Sequence, residues 1–117
     1  MAYVDGFVIP VPKNRIEDYK RLAHLCEPIW REHGAIRVAE CIGDDTPLGE
    51  RTSFPRAVQA RDDEVVVFSW IVYPDKETRD ACNRKVMEDP RLTASMATDI
   101  FDGKRLIFGG FVPFIGP

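Results

Sequence analysis

The run Val65-Val66-Val67-Phe68-Ser69-Trp70-Ile71-Val72-Tyr73 decides the fold. It consists almost wholly of β-branched and aromatic residues and is stopped by Pro74, so it reads as a strand with apolar side chains on both faces. Immediately downstream, Asp75 is a good N-cap for a helix in which Thr78, Ala81, Cys82, Lys85 and Val86 share one face. Asp89-Pro90 closes that helix and opens a further short one to about Thr98. Asp102-Gly103 then signals a turn, and Lys104 to Val112 supplies a last strand in which Gly109-Gly110 permits a bulge or a close backbone approach.

Upstream, Arg37 to Gly43 alternates as a strand should, with Val38, Glu40 and Ile42 on one face and Ala39 and Cys41 on the other. Residues 44–64 form a polar connection. A structureless loop of that length is unusual in a small domain, so Phe54 to Ala60, capped by Ser53, is expected to form a short helix. Tyr3 to Val11 is a second nearly continuous apolar strand. Between it and Gly34, residues Ile16, Tyr19, Leu22, Ala23, Cys26, Ile29 and Trp30 draw one apolar stripe at helical spacing. Asn14 and Glu17 stand at capping-box spacing at the start of this helix, and Pro28 is expected to kink or break it.

The order is therefore strand, helix, strand, strand, helix, strand. This is the α+β, ferredoxin-like βαββαβ pattern with an antiparallel sheet, in one domain spanning residues 1–117. Two helices cover only one face of such a sheet, whereas Tyr3 to Val11 and Val65 to Tyr73 are apolar on both. A two-fold partner bringing an identical sheet would cover the second face, which predicts a homodimer built as a dimeric α+β barrel.

Composition narrows the function classes. Sixteen Lys and Arg against nineteen Asp and Glu give a net charge of −3, which lacks the basic footprint of a nucleic-acid binder. No run approaches the ~18 apolar residues of a membrane span. The opening MAYVDGFVIPVPK carries Asp5 and lacks a basic start and a small-residue cleavage site, so a cytoplasmic location is expected. Cys26, Cys41 and Cys82 are widely spaced without a Cys-x-x-Cys pair or a His at ligand spacing, which points to neither disulfides nor a metal site. With no phosphate-cradling glycine pattern either, no cofactor is expected.

The opening YVDGFVIPVP, the run VVFSWIVYPDKETRDACNRKVMEDPR and the close FDGKRLIFGGF together resemble the YbaA-like bacterial family, small proteins with a domain of unknown function. The resemblance covers nearly the whole chain and implies a dimeric ferredoxin-like or α+β-barrel fold. It implies no activity, substrate or cofactor, so no catalytic residue is carried over from it. Proteins sharing the barrel fold include cofactor-independent monooxygenases and isomerases, which is an analogy of fold and not of chemistry.

The residues themselves offer candidates. Glu40 shares a strand face with Val38 and Ile42, where a carboxylate is desolvated unless paired, so it is the candidate general acid or base. Its structural alternative is an edge-strand contact with Arg37, Arg105 or solvent. Trp70, with Phe68, Phe108, Phe111, Tyr3 and Tyr73, suits an apolar pocket between sheet and helices, but these are also what any core of this fold would contain, and packing is the favoured reading. Ser69 is the one hydroxyl in the third strand's apolar run and needs a partner, a ligand or a neighbouring backbone group. Met96 and Phe101 lie in the segment before the last strand, placed to form a rim or lid. Arg105 has the planar fork that suits an anionic group, and is also a natural partner for the odd Asp5 in the first strand. His24 falls among charged residues on the helix surface, and His33 near the helix end suits capping of the last carbonyls. Two functions remain open: a dimer that binds or transforms a small organic molecule without metal or nucleotide, and a non-catalytic protein-interaction module.

Overall fold

The computed structural model describes residues 1–96 and 99–117, and the side chains of all of these except residues 94–96. Four strands, β1 (Tyr3–Pro12), β2 (Arg37–Ile42), β3 (Glu64–Tyr73) and β4 (Ile107–Phe111), form one antiparallel sheet in the order β2-β3-β1-β4. The helices are α1 (Ile16–Glu32), the short α2 (Phe54–Ala57), α3 (Lys76–Glu88) and α4 (Pro90–Met96). The α+β, ferredoxin-like order read from the sequence is the observed one. The expected extension of α4 to Thr98 reaches outside the described residues.

Helix ends follow local chemistry. At the C-terminus of α1, the Gly34 amide donates to the Arg31 carbonyl and the Ala35 amide to the Trp30 carbonyl, with Gly34 at φ +127°. That pair of bonds is a Schellman stop, and it needs the positive φ that glycine adopts freely. Asp75 caps α3 through Oδ1, which accepts the Thr78 amide at 2.7 Å, and Ser53 caps α2 by accepting the Arg56 amide at 3.1 Å.

Three expectations are corrected. Asn14 does not cap α1: Lys13–Arg15 forms a 3-10 turn, and Arg15 stands at the N-cap without a side-chain capping bond. The reason is that the Lys13 amide still donates to the Asp63 carbonyl at 2.8 Å, so the chain leaves the β-ladder one turn later than the capping box requires. Pro28 does not break α1, which is helical through Glu32. The carbonyl it leaves without a donor belongs to His24, an exposed residue, so water can supply the bond. The last strand begins at Ile107, not Lys104, because the Lys104 amide donates to Asp102 Oδ1 and the Arg105 amide to the Asp102 carbonyl, holding 102–105 in a turn.

Strand alternation divides the sheet into two unlike faces. On the helix-covered face, Ile9, Val11, Tyr19, Val67 and Ile100 form one buried cluster. Ile29, Ala35, Ile71, Tyr73, Cys82, Val86 and Leu92 form another. On the second face the chain covers itself in part: the connection carrying α2 returns Val58 onto Val8 and Val66, and Phe54 meets Phe68 edge-on at 5.9 Å. Beyond that cover the face is open, with Ile107 44% and Phe111 60% exposed.

Candidate functional site

Between α1 and the sheet lies a cavity of about 200 Å³ that opens to the surface. Its floor is Phe7 and Ile9 of β1 with Ser69 and Ile71 of β3, and its roof is the α1 stripe Leu22, Ala23, Cys26 and Trp30. Val38 and Glu40 close one side from the edge strand β2, while Phe101 and Leu106 close another. The helical spacing of the stripe and the two-residue period of the strands are what bring these side chains to one space.

Two carboxylates interrupt this apolar lining: Glu27 of α1, which accepts from Arg31 at 3.2 Å, and Glu40 of β2. The Tyr19 hydroxyl donates to Glu40 Oε1 at 2.6 Å, and Ser69 stands directly opposite Glu40 in the β2–β3 register. Glu40 as a whole residue is exposed, as an edge strand allows, but its carboxyl is crowded enough by protein that burial is the largest influence on it. Burial raises its pKa above the usual carboxyl value, against the lowering effect of the Tyr19 and Ser69 hydroxyls. The same carboxylate holds the Tyr19 hydroxyl well above its ordinary range, after burial itself. Cys26, also in the lining, has its thiol pushed up to about 11, first by burial and then by Glu40, so it is no ready nucleophile. Phe101 packs edge-on against the Tyr19 ring at 5.9 Å and fixes the ring that carries the donor.

A second, more polar hollow adjoins the first on the surface. It shares Tyr19, Ala23, Glu27, Val38 and Glu40 with the cavity and adds Lys20, His24, Cys41 and Ile42. Glu40 therefore stands where an apolar interior meets a wet groove. Such a group can exchange protons with solvent on one side and with a bound molecule on the other.

The family described as "Protein of unknown function (DUF1428)" matches residues 2–103. The chain belongs to the DUF1428 family. "Uncharacterized protein YbaA" of Escherichia coli (strain K12) is 49% identical over 115 residues, 98% of each chain. Among solved structures, a dimeric ferredoxin-like protein from an uncultured marine organism superimposes with a TM-score of 0.63 at 13% identity, covering 99% of this chain and 97% of that one. SnoaB, a cofactor-independent oxygenase from Streptomyces nogalater, gives 0.56 at 15% identity over 98% and 95% of the two chains. At such identities these two similarities establish the fold alone.

In this DUF1428 protein the sequence-derived site residues part company. Glu40, Ser69 and Phe101 lie together in the cavity wall. Trp70 does not, because the period of two that turns Ser69 and Ile71 toward α1 turns Trp70 to the second face, beside Phe68 at 5.8 Å. Arg105 is not among the residues that line the cavity. It forks onto both Glu64 carboxylate oxygens at 2.7 and 2.6 Å, donates to Asp102 at 2.9 Å and to the Gln59 carbonyl at 2.9 Å, and so ties the turn before β4 to the start of β3. Its guanidinium holds the Glu64 carboxyl below the usual range. Met96 ends α4, and its side chain falls outside the described residues.

Asp5 is buried, and its partner is Arg79 at 2.6 Å, not Arg105. The same guanidinium lies 4.7 Å over the Tyr3 ring, and a side chain at Gly110 would collide with that ring, so the close approach foreseen at Gly109-Gly110 is made by Tyr3. His33 joins Asp89 at 2.9 Å, away from the cavity. Glu32, His33 and Asp89 bring potential metal-ligand atoms within 4.8 Å of one another, but Arg91 already bonds both carboxylates, so a cation of the chain itself meets their charge.

Sequence reading missed Tyr19 as the partner of Glu40. The signal was present: a phenol on the stripe of α1 that faces the sheet must bring its hydroxyl to some acceptor there.

Proposed function

We propose that this DUF1428 protein is a homodimer in which each subunit binds a small, mostly apolar organic molecule between α1 and the sheet, with Glu40 as the acid or base that faces it. The observation that carries this reading is a carboxylate with a raised pKa, hydrogen-bonded to Tyr19 and without a cationic partner, in the wall of a mostly apolar cavity. Tyr19 orients the carboxylate, and Ser69 supports its ionised form. A base of this kind removes a proton from a bound molecule and returns it, which needs neither metal nor nucleotide. The fold shared with a cofactor-independent oxygenase is compatible with such chemistry, as analogy only.

The dimer reading is supported by the apolar residues left open on the second face, where Phe68, Ile107 and Phe111 form a patch fit for an identical sheet. Native mass spectrometry of protein purified without denaturation tests both halves. The expected spectrum shows twice the chain mass with a discrete added mass, and Ala23→Phe, which fills the cavity, removes the added mass and keeps the dimer. A monomer would overturn the dimer, and an added mass that survives Ala23→Phe would move the ligand out of the cavity.

A further inference from the structure

We infer that the cavity selects an uncharged ligand of about two fused rings that donates a hydrogen bond to Glu40, and that it turns anions away. This deepens the proposed function and rests on it. Size comes first. A dry cavity of about 150 Å³ accommodates benzene, and this one offers about 200 Å³, room for a bicyclic ring system.

Charge comes second. Among the fourteen described lining residues there is no Lys, Arg or His, and the only formal charges they carry are the carboxylates of Glu27 and Glu40. Of these two, Glu27 is already paired with Arg31 at 3.2 Å, and Arg105 is committed to Glu64 and Asp102, so Glu40 is the lining carboxylate that faces a ligand without a cation. Lys20 and His24 line the outer groove and not the cavity, and Lys20 pairs with Glu17 at 3.3 Å. A carboxylate or phosphate entering the cavity would lose its water and meet a like charge without a counter-ion.

Hydrogen-bond polarity comes third. Tyr19 spends its one hydrogen on Glu40 Oε1, so the phenol offers the ligand no donor, whereas an ionised carboxylate accepts at both oxygens and retains open positions. The Trp30 indole N–H has no hydrogen-bond partner among the described residues, but the nitrogen is shut off from solvent-sized space, so this donor does not open into the cavity that its ring lines. The unmet capacity in this wall is therefore an acceptor's, and the matching ligand group is a hydroxyl or an N–H.

Naphthalene, naphthol and naphthoate share one bicyclic ring system and differ only in the group offered to Glu40. Calorimetric or ligand-observed NMR titration of the whole protein near neutral pH is expected to rank naphthol first, with naphthoate weaker by at least about tenfold. In Glu40→Gln, an isosteric change, naphthoate should recover most of that gap, while Ala23→Phe should abolish binding of all three. Equal or stronger binding of naphthoate to the native protein would overturn the charge selection and leave the cavity reading standing. A preference for naphthol that is unchanged in Glu40→Gln would overturn the role given to Glu40. Failure of all three to bind would overturn the cavity reading and this inference together.

Discussion

The two faces of the sheet are made by alternate residues of the same strands and do different work. Toward the helices, Phe7, Ser69, Ile71 and Glu40 surround a cavity with one polar corner. Away from them, Val8 and Val66 are buried by the chain's own α2 connection, and Phe68, Ile107 and Phe111 stay open. A face closed by its own chain can keep a hollow with a charge in its wall, since helices on either side carry the structure. Apolar side chains left open on a face stay hydrated, and a partner surface that covered them would add favourable burial.

The sharpest way to break this contrast is to charge the open face. Ile107→Glu combined with Phe111→Asp should halve the mass seen by sedimentation and leave the far-ultraviolet circular dichroism unchanged, because both residues are exposed within one subunit. A dimer that survives the double change would place the interface elsewhere.

Next in size is truncation on each face. Leu92, 1% exposed on the helix side, should lose about 2–5 kcal/mol of unfolding free energy in urea on change to Ala. Phe111→Ala, measured in an Ile107→Glu background first checked by sedimentation to be a monomer, should stay within about 0.5 kcal/mol. Comparable losses at the two positions would mean that the faces are equally closed within the subunit.

Capping offers a finer test of how the helices close their face. Asp75→Ala removes the acceptor of the Thr78 amide and should cost about 1 kcal/mol, whereas Asn14→Ala should cost under about 0.5 kcal/mol because Asn14 makes no cap. Equal costs would restore the capping box that the 3-10 turn displaces.

The smallest effect is electrostatic. Glu40 has a raised pKa in the folded chain, so between the ordinary carboxyl value of 4.5 and the raised one the native state binds the proton more tightly than the unfolded state does. Native stability should therefore fall as pH rises through that window, and the advantage of Glu40→Gln should grow with it, flattening above. A stability difference independent of pH would show that Glu40 is not desolvated in the folded protein. Tyr19→Phe, which removes one bond to the ionised form, should raise the Glu40 pKa further in an NMR titration.

How much of this was legible in the chain depends on the range of the interaction. The alternation of Arg37 to Ile42 placed Glu40 beside Val38, and the spacing of the α1 stripe placed Cys26 and Trp30 over the sheet, because each rests on a period of one strand or one helix. The same period, applied to Ser69, would have turned Trp70 away from the helices. Grouping the aromatics by type and not by parity put Trp70, Phe68 and Phe111 in the wrong compartment.

Local periodicity, turn chemistry and composition are written in neighbouring residues, and they determined the element order, the antiparallel ferredoxin-like sheet, the Gly34 stop and the strand face of Glu40. Tertiary structure alone decided which partner each polar group took: Tyr19 for Glu40, Arg79 for Asp5 and Glu64 for Arg105, pairs separated by 21, 74 and 41 residues. A guanidinium reads the same in the sequence whether it waits for a ligand or closes a turn. Which of these it does is set by the carboxylate that folding brings within bonding distance.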